Sequence, residues 1–264
     1  MHIVALIKQV PDTEKVKFDT GNGSIDQSAA PMEINPFDLN VLEAAAQIKE
    51  KVGGTVTAIS MAPSSAERTL KDSLAKGADR MILLADSKFD NADTCATSYA
   101  LASAIRKLGD VDMIISGEKA VDVETGQIGP AVAEHLSLPQ LTYVSEITEV
   151  SEEKISVISE MGGRTYMMES RFPVLMTVTK DINKPRLPTL QDKLKARKAK
   201  AGIWSAEDLA DVADAAKLGL TGSHCTVVKL SVPPERERKS EVFRGDEAAA
   251  KLASALDKEG VLGR

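Results

Sequence analysis

The stretch Ser116-Gly117-Glu118-Lys119-Ala120-Val121-Asp122-Val123-Glu124-Thr125-Gly126-Gln127-Ile128-Gly129-Pro130 is the part of the sequence best equipped for chemistry. It is long for a strand-to-helix connection, and long loops inside compact domains usually serve a function. It gathers small residues, hydroxyls and amide side chains just ahead of a run with helical period. Thr125, Gly126, Gln127 and Ile128 stand where that helix begins, so their backbone N–H groups can point at a pyrophosphate with the helix dipole assisting. Three further segments stand at comparable positions: Lys8-Gln9-Val10-Pro11-Asp12, Asn35-Pro36-Phe37-Asp38 and Ser60-Met61-Ala62-Pro63-Ser64. In open α/β sheets ligands bind beyond the carboxyl ends of the strands, which is where such loops gather. Taken alone, each of these three also reads as an ordinary strand exit or helix start.

Several chemistries lack their residues. There is no G-x-x-x-x-G-K-[ST] for a P-loop, no G-x-G-x-x-G after the first strand, and no G-x-S-x-G nucleophile elbow. Cys95 and Cys225 are the only cysteines, and His2, His135 and His224 are scattered, so neither a zinc site nor a disulfide framework is expected. The cysteines read as reduced thiols in a reducing compartment. His224-Cys225 is an adjacent pair, but on an extended segment the two side chains point to opposite faces. What remains is binding and positioning of a cofactor that carries the redox work itself.

The elements that must hold these loops follow from periodicity. Short β-branched runs at Ile3–Ile7, Thr55–Ser60, Arg80–Ala85 and Val111–Ser116 alternate with helical segments at Phe37–Lys51, Ser65–Lys76, Asp93–Leu108 and Gly126–Leu136. That alternation predicts βαβ units and a parallel sheet covered on both faces. Asn35 before Pro36 is a good N-cap ahead of a first-turn proline, and Gly77 suits a helix C-cap. The segment Val16–Ile25 breaks the rhythm and predicts a hairpin turning at Asp19–Ser24. From Ile147 to Thr179, four short strands with tight links predict antiparallel additions at one edge of the sheet. A basic run, Lys193 to Lys200, follows; then a capping signature at Trp204–Leu209 for a short helix, a strand at Thr226–Val232, an exposed connector at Pro233–Lys239, and a helix at Asp246–Glu259.

Composition bounds the rest. The 264 residues are 43% hydrophobic, enough for one large core or two modest ones. A net charge of −6 gives no overall nucleic-acid footprint. No apolar run is long enough to cross a bilayer, and the N-terminus lacks the basic region of a signal peptide, so a cytoplasmic location is expected.

The segments Lys8–Asp12, Asn35–Asp38, Ala75-Lys76-Gly77-Ala78-Asp79-Arg80, Ala120–Pro130, Pro173–Val178 and Asn183-Lys184-Pro185-Arg186, taken in order, resemble the beta subunit of electron-transfer flavoproteins, and the resemblance covers essentially the whole chain. It implies an α/β fold, Rossmann-like and of the adenine nucleotide alpha-hydrolase kind, with a mostly parallel sheet, antiparallel edge strands and a C-terminal arm. Residues 1–201 would form the nucleotide-binding domain, including a recognition loop at about 183–201. Residues 202–264 would be an arm packing on a larger alpha subunit that carries FAD. Carried over by position, the nucleotide contacts fall at Leu6, Asn35, Phe37, Asp38, Met61, Asp122, Glu124, Thr125, Gly126, Gln127, Ile128 and Gly129. The nucleotide would be AMP in the simple form. In the electron-bifurcating form, which Val123–Ile128 resembles more, it would be a second FAD that takes a hydride from NADH. Electrons would then pass to the alpha-subunit FAD with an acyl-CoA dehydrogenase beyond it, and to ferredoxin or flavodoxin. In the recognition loop, Leu190 matches a partner-anchoring leucine, with Lys193, Lys195, Arg197 and Lys198 steering an acidic partner surface; without the family, that run reads as a solvated helix face. A universal-stress-type ATP-binding module and an adenine-nucleotide hydrolase or ligase are the competing readings from other classes.

Overall fold

The central strands are apolar on both sides because both faces of the sheet are covered. The computed structural model describes residues 1–19, 24–26, 30–228 and 240–262. Its strands are β1 (His2–Leu6), β2 (Gln9–Pro11), β3 (Lys17–Asp19), β4 (Ser24–Asp26), β5 (Met32–Ile34), β6 (Thr55–Met61), β7 (Arg80–Leu84), β8 (Met113–Gly117), β9 (Gln140–Val150), β10 (Lys154–Met161), β11 (Arg164–Arg171), β12 (Val174–Val178) and β13 (Gly202–Trp204). Its helices are α1 (Pro36–Val52), α2 (Glu67–Leu70), α3 (Asp72–Ala75), α4 (Thr94–Leu108), α5 (Ile128–Leu136), α6 (Leu190–Lys198), α7 (Gly219–Gly222) and α8 (Ala248–Lys258). By internal contacts the chain divides into a unit of Met1–Leu230 and a second of Ser231–Arg264, in which α8 carries a Lys251–Glu247 ion pair.

Nine strands form one sheet in the order β11-β10-β9-β12-β8-β1-β6-β7-β13. From β9 to β13 neighbouring strands run parallel; β10 and β11 add antiparallel at one edge, as a mostly parallel Rossmann-like sheet with antiparallel edge strands requires. Alternate side chains feed two cores. Ile3, Ala5, Met113, Ile115, Val174 and Met176 face α1, whose Val41, Leu42, Ala45 and Ile48 are buried against them. Val4, Leu6, Ile114 and Leu175 face the other way, toward Leu101, Ile105, Val132 and Ala133 of α4 and α5. The chain passes from β1 to β6 and β7 on one side of β1, then returns to place β8 on the other. This reversal puts the carboxyl ends of β1 and β8 side by side, the usual position for a ligand in such sheets.

Several local expectations need correction. The helix expected over Ser65–Lys76 is a 3-10 turn followed by the short α2 and α3, because Ala66 and Lys71 hold shallow ψ values of −16° and −23° that tighten the backbone at each junction. No helix forms at Trp204–Leu209: Trp204 ends β13, and the Ser205–Asp208 exchange of hydrogen bonds opens successive turns in which Leu209, Ala210 and Val212 each bond three residues back. Residues Thr226 to Val228 join no strand ladder, and the rest of the expected strand at Thr226–Val232 lies outside the described residues, as does the connector Pro233–Lys239. The arms of the expected hairpin pair as β3 with β4; residues 20–23 of its turn are outside the described residues. Of the four short strands expected from Ile147 to Thr179, β9, β10 and β11 pair antiparallel as expected, but Val174–Val178 runs parallel between β8 and β9, and β9 begins earlier, at Gln140.

The segment before α6 is moored to α1. Asn40 and Asn183 each donate to the other's carbonyl through their side-chain amides, at 2.9 and 3.0 Å. Arg186 grips Glu43 through Nε at 2.7 Å and reaches Glu50 through Nη1 at 2.5 Å. Burial pushes Glu43 upward, but the bonds from Arg186 outweigh it and hold the carboxyl below its ordinary value of 4.5. The stabilisation is therefore complete above about pH 4.5 and is lost as the pH falls through the depressed value. Arg186→Ala leaves buried Glu43 without its charged partner, keeping only the amides of residue 186 and Gln47. Chemical denaturation should record a loss of about 2 kcal/mol at pH 7, below the range for a fully buried pair because Arg186 is partly exposed, and the difference should shrink below pH 4.

Candidate functional site

The crevice between β1 and β8 is walled by the start of α1 on one side and by the 118–127 loop and the start of α5 on the other. Asn35 precedes α1 and is buried. Its side chain does not cap the helix as the sequence suggested. Instead Nδ2 donates to the Lys119 carbonyl at 3.0 Å, and Oδ1 accepts from the Val121 amide at 3.2 Å. A primary amide supplies one donor and one acceptor side by side, so Asn35 satisfies both peptide groups of the loop at once.

Asp38, in the first turn of α1, is fully buried and accepts from the Lys8 amide at 2.7 Å. Burial raises its carboxyl from 3.8 to about 7, against the opposing hydrogen bonds from Asn35 and the Lys8 amide. The 118–127 loop has further fasteners. Lys8 Nζ bonds both oxygens of Asp122, at 2.6 and 2.9 Å. Lys119 pairs with Glu124 at 3.1 Å and lies 5.8 Å from the centre of the Phe37 ring. Thr94, the first residue of α4, donates to Gln127 at 2.8 Å.

The start of α5 is an open row of donors. Gln127 stands at the N-cap and makes no side-chain capping bond. The amides of Thr125, Gly126, Gln127, Ile128 and Gly129 find no acceptor among the described residues; the first helix bond comes from Ala131 to Gln127. Glu124 and Gly126 both have positive φ, at 49° and 62°, which curls the backbone just ahead of the helix. Consecutive amides in such a curl at a helix N-terminus favour an anion. Gly129 lets α5 come close to the sheet: a Cβ there would lie 2.6 Å from both Ser116 Oγ and Thr177 Cγ2. The Ser116 and Ser60 hydroxyls, near the carboxyl ends of β8 and β6, are buried without a hydrogen-bond partner among the described residues.

The structure thus brings Leu6, Asn35, Phe37, Asp38, Met61, Asp122, Glu124, Thr125, Gly126, Gln127, Ile128 and Gly129 to the carboxyl edge of the sheet. Leu6, Asn35, Asp38 and Gly129 are buried; Phe37, Met61, Gly126 and Ile128 are partly buried; Asp122, Glu124, Thr125 and Gln127 are exposed at the rim. Leu190, Lys193, Lys195, Arg197 and Lys198 form a separate group on α6, all exposed, with Leu190 at 75%. Ala196 of the same helix is buried and α6 packs against α3, so the run is a helix with one seated face. Sequence reasoning missed the side chains of Lys8 and Lys119 as loop fasteners and Thr94 as a neighbour of Gln127. The only available signal was that Lys8 stands directly beyond β1, in the loop expected to wall the site.

An α/β protein with helix-start amides gathered at a topological switch point is the class that the fold and this edge define. Comparison with known proteins narrows it. Residues 23–209 match the electron transfer flavoprotein domain. The chain is 42% identical over 99% of its length to the electron transfer flavoprotein subunit beta of Thermoanaerobacterium thermosaccharolyticum, covering all of that protein. It is 40% identical to the subunit of the same name from Clostridium acetobutylicum, over 98% of this chain and 99% of that one. It is also 40% identical to the protein FixA of Azorhizobium caulinodans, over 94% of this chain and 90% of that one. The chain belongs to the electron transfer flavoprotein family, among the beta-subunit and FixA proteins. No helix among the described residues is long and apolar enough to cross a membrane.

Two outcomes test this geometry. Asp38 binds a proton more readily in the folded chain than in the unfolded one, so its contribution to stability is full below pH 3.8 and is lost as the pH rises through about 7. Relative to Asp38→Asn, the wild-type chain should lose stability steadily from pH 4 to 7 and level off near pH 8, as followed by urea midpoints. Gly129→Ala forces α5 away from Ser116 and Thr177 and should cost about 1–3 kcal/mol in the same assay.

Proposed function

We propose that this chain is the beta subunit of a heterodimeric electron transfer flavoprotein, that its partner is a larger alpha subunit carrying FAD, and that its crevice holds a second flavin of the electron-bifurcating kind. The observation that carries this reading is the run of free amides from Thr125 to Gly129 ahead of α5. Five consecutive donors suit the two phosphates of a dinucleotide better than the single phosphate of AMP. Leu6 and Met61 offer apolar contact for an adenine, Asn35 and Asp38 fix the wall beside it, and Asp122 and Glu124 stand at the rim for ribose hydroxyls.

When bound, the flavin would supply hydride acceptance from NADH and the division of the electron pair between two acceptors. One acceptor would be the alpha-subunit FAD with an acyl-CoA dehydrogenase beyond it, and the other ferredoxin or flavodoxin. The residues of this chain grip the diphosphate and set the local charge. The exposed Leu190, ringed by Lys193, Lys195, Arg197 and Lys198, supports docking of an acidic dehydrogenase surface, as an apolar anchor inside a charged rim does. A cytoplasmic heterodimer is the setting in which these parts work together.

Absorbance of the purified heterodimer after denaturation separates the two forms. Release of two flavins per heterodimer is the expected result. One flavin with one released AMP would establish the simple form instead, and a colourless homodimer would overturn the reading altogether.

A further inference from the structure

The loop offered to a diphosphate carries three carboxylates, Glu118, Asp122 and Glu124, which is an adverse setting for a polyanion. Two of the three are paired within the structure. Glu124 is paired with Lys119 of its own loop at 3.1 Å. Asp122 is paired with Lys8, which arrives from the end of β1, 114 residues away in sequence, and engages both carboxylate oxygens. Lys8 bridges the two sides of the β1–β8 crevice, so its charge lies between the loop and the strand exit. Its main-chain amide is separately committed to buried Asp38, and that contact does not involve the side chain.

Resting on the nucleotide-binding reading above, we propose that Lys8 is a positioning residue that makes the acidic 118–127 loop receptive to a nucleotide diphosphate, by neutralising Asp122 and holding it against the wall of the crevice. Without Lys8, the Asp122 carboxylate is free to turn toward the row of amides, where it opposes the phosphates and competes with them for the same donors. With Lys8 present, the pair contributes no net charge near the anion. Lys8 therefore acts through Asp122, and the harm done by removing it should depend on Asp122 being charged. A lysine that merely braced the loop would behave differently, because deleting both members of the pair would be at least as damaging as deleting one.

The test is titration of ADP, which carries the adenosine and diphosphate of FAD, into the heterodimer freed of the nucleotide bound to this chain. The variants are Lys8→Met, Asp122→Asn, the double substitution, and Lys8→Arg. Lys8→Met should weaken ADP binding about tenfold, a loss that should shrink between 50 mM and 500 mM salt as the exposed carboxylate is screened. Asp122→Asn alone reads the carboxylate's own contribution to nucleotide binding, and the double variant should bind within about threefold of Asp122→Asn. Lys8→Arg should bind like wild type. A double variant about tenfold weaker than Asp122→Asn overturns the charge-compensation role, as does a Lys8→Met variant that binds ADP normally; in both cases the nucleotide site itself stands. Failure of the wild-type heterodimer to bind either ADP or FAD overturns the site and this inference together.

Discussion

One buried amide side chain sets the shape of the crevice. Asn35 closes two hydrogen bonds to the backbone of a loop more than eighty residues further along the chain. Both peptide groups lie where the chain leaves β8, and both would be costly to bury without partners. The pair of bonds fixes how the 118–127 loop sits against the start of α1. Other contacts at the edge assume that placement: Lys8 reaches Asp122, Lys119 reaches the Phe37 ring, and Asp38 receives the Lys8 amide.

The row of unpaired amides at the start of α5 is the complement of that wall. A helix start normally recruits a side chain to accept from its first amides. Here Gln127 is turned to the Thr94 hydroxyl, Pro130 contributes no N–H, and Gly129 brings the helix onto the strand ends. Among the described residues, the polar groups of the α1 wall are satisfied internally while those of the α5 start are left open, an asymmetry that would suit an anion at that end.

Much of this was legible in the amino-acid order, for reasons that differ by element. The parallel strands and long helices could be read because their burial imposes a strict period, as in Ile3–Ile7 and Phe37–Lys51. The loop before α5 could be read from its length and its small residues. Pairings between distant residues left no such trace. Nothing in the local order indicates that Asn35 turns away from its helix, that Lys8 meets Asp122, or that Arg186 meets Glu43 and Glu50. Each is a tertiary contact overriding a plausible local role. The helix expected at Trp204–Leu209 failed for a related reason: its residues carry a valid start signal, but the backbone entering them is already committed to the sheet through β13. The basic run at Lys193–Lys200 was ambiguous by composition, and only the seated Ala196 separates its two faces.

The mooring of the segment around α6 has a thermodynamic consequence. It is pinned before the helix by Asn183 and Arg186 on α1, capped at its first turn by the reciprocal Thr189–Asp192 bonds, and drawn back after it into the sheet edge by β13. A binding surface on a loose loop must lose backbone freedom whenever a partner arrives, at about 1–2 kcal/mol per residue. If α6 docks a partner as proposed above, that entropy has already been surrendered during folding, leaving only the lysine and arginine side-chain rotamers to be ordered on contact.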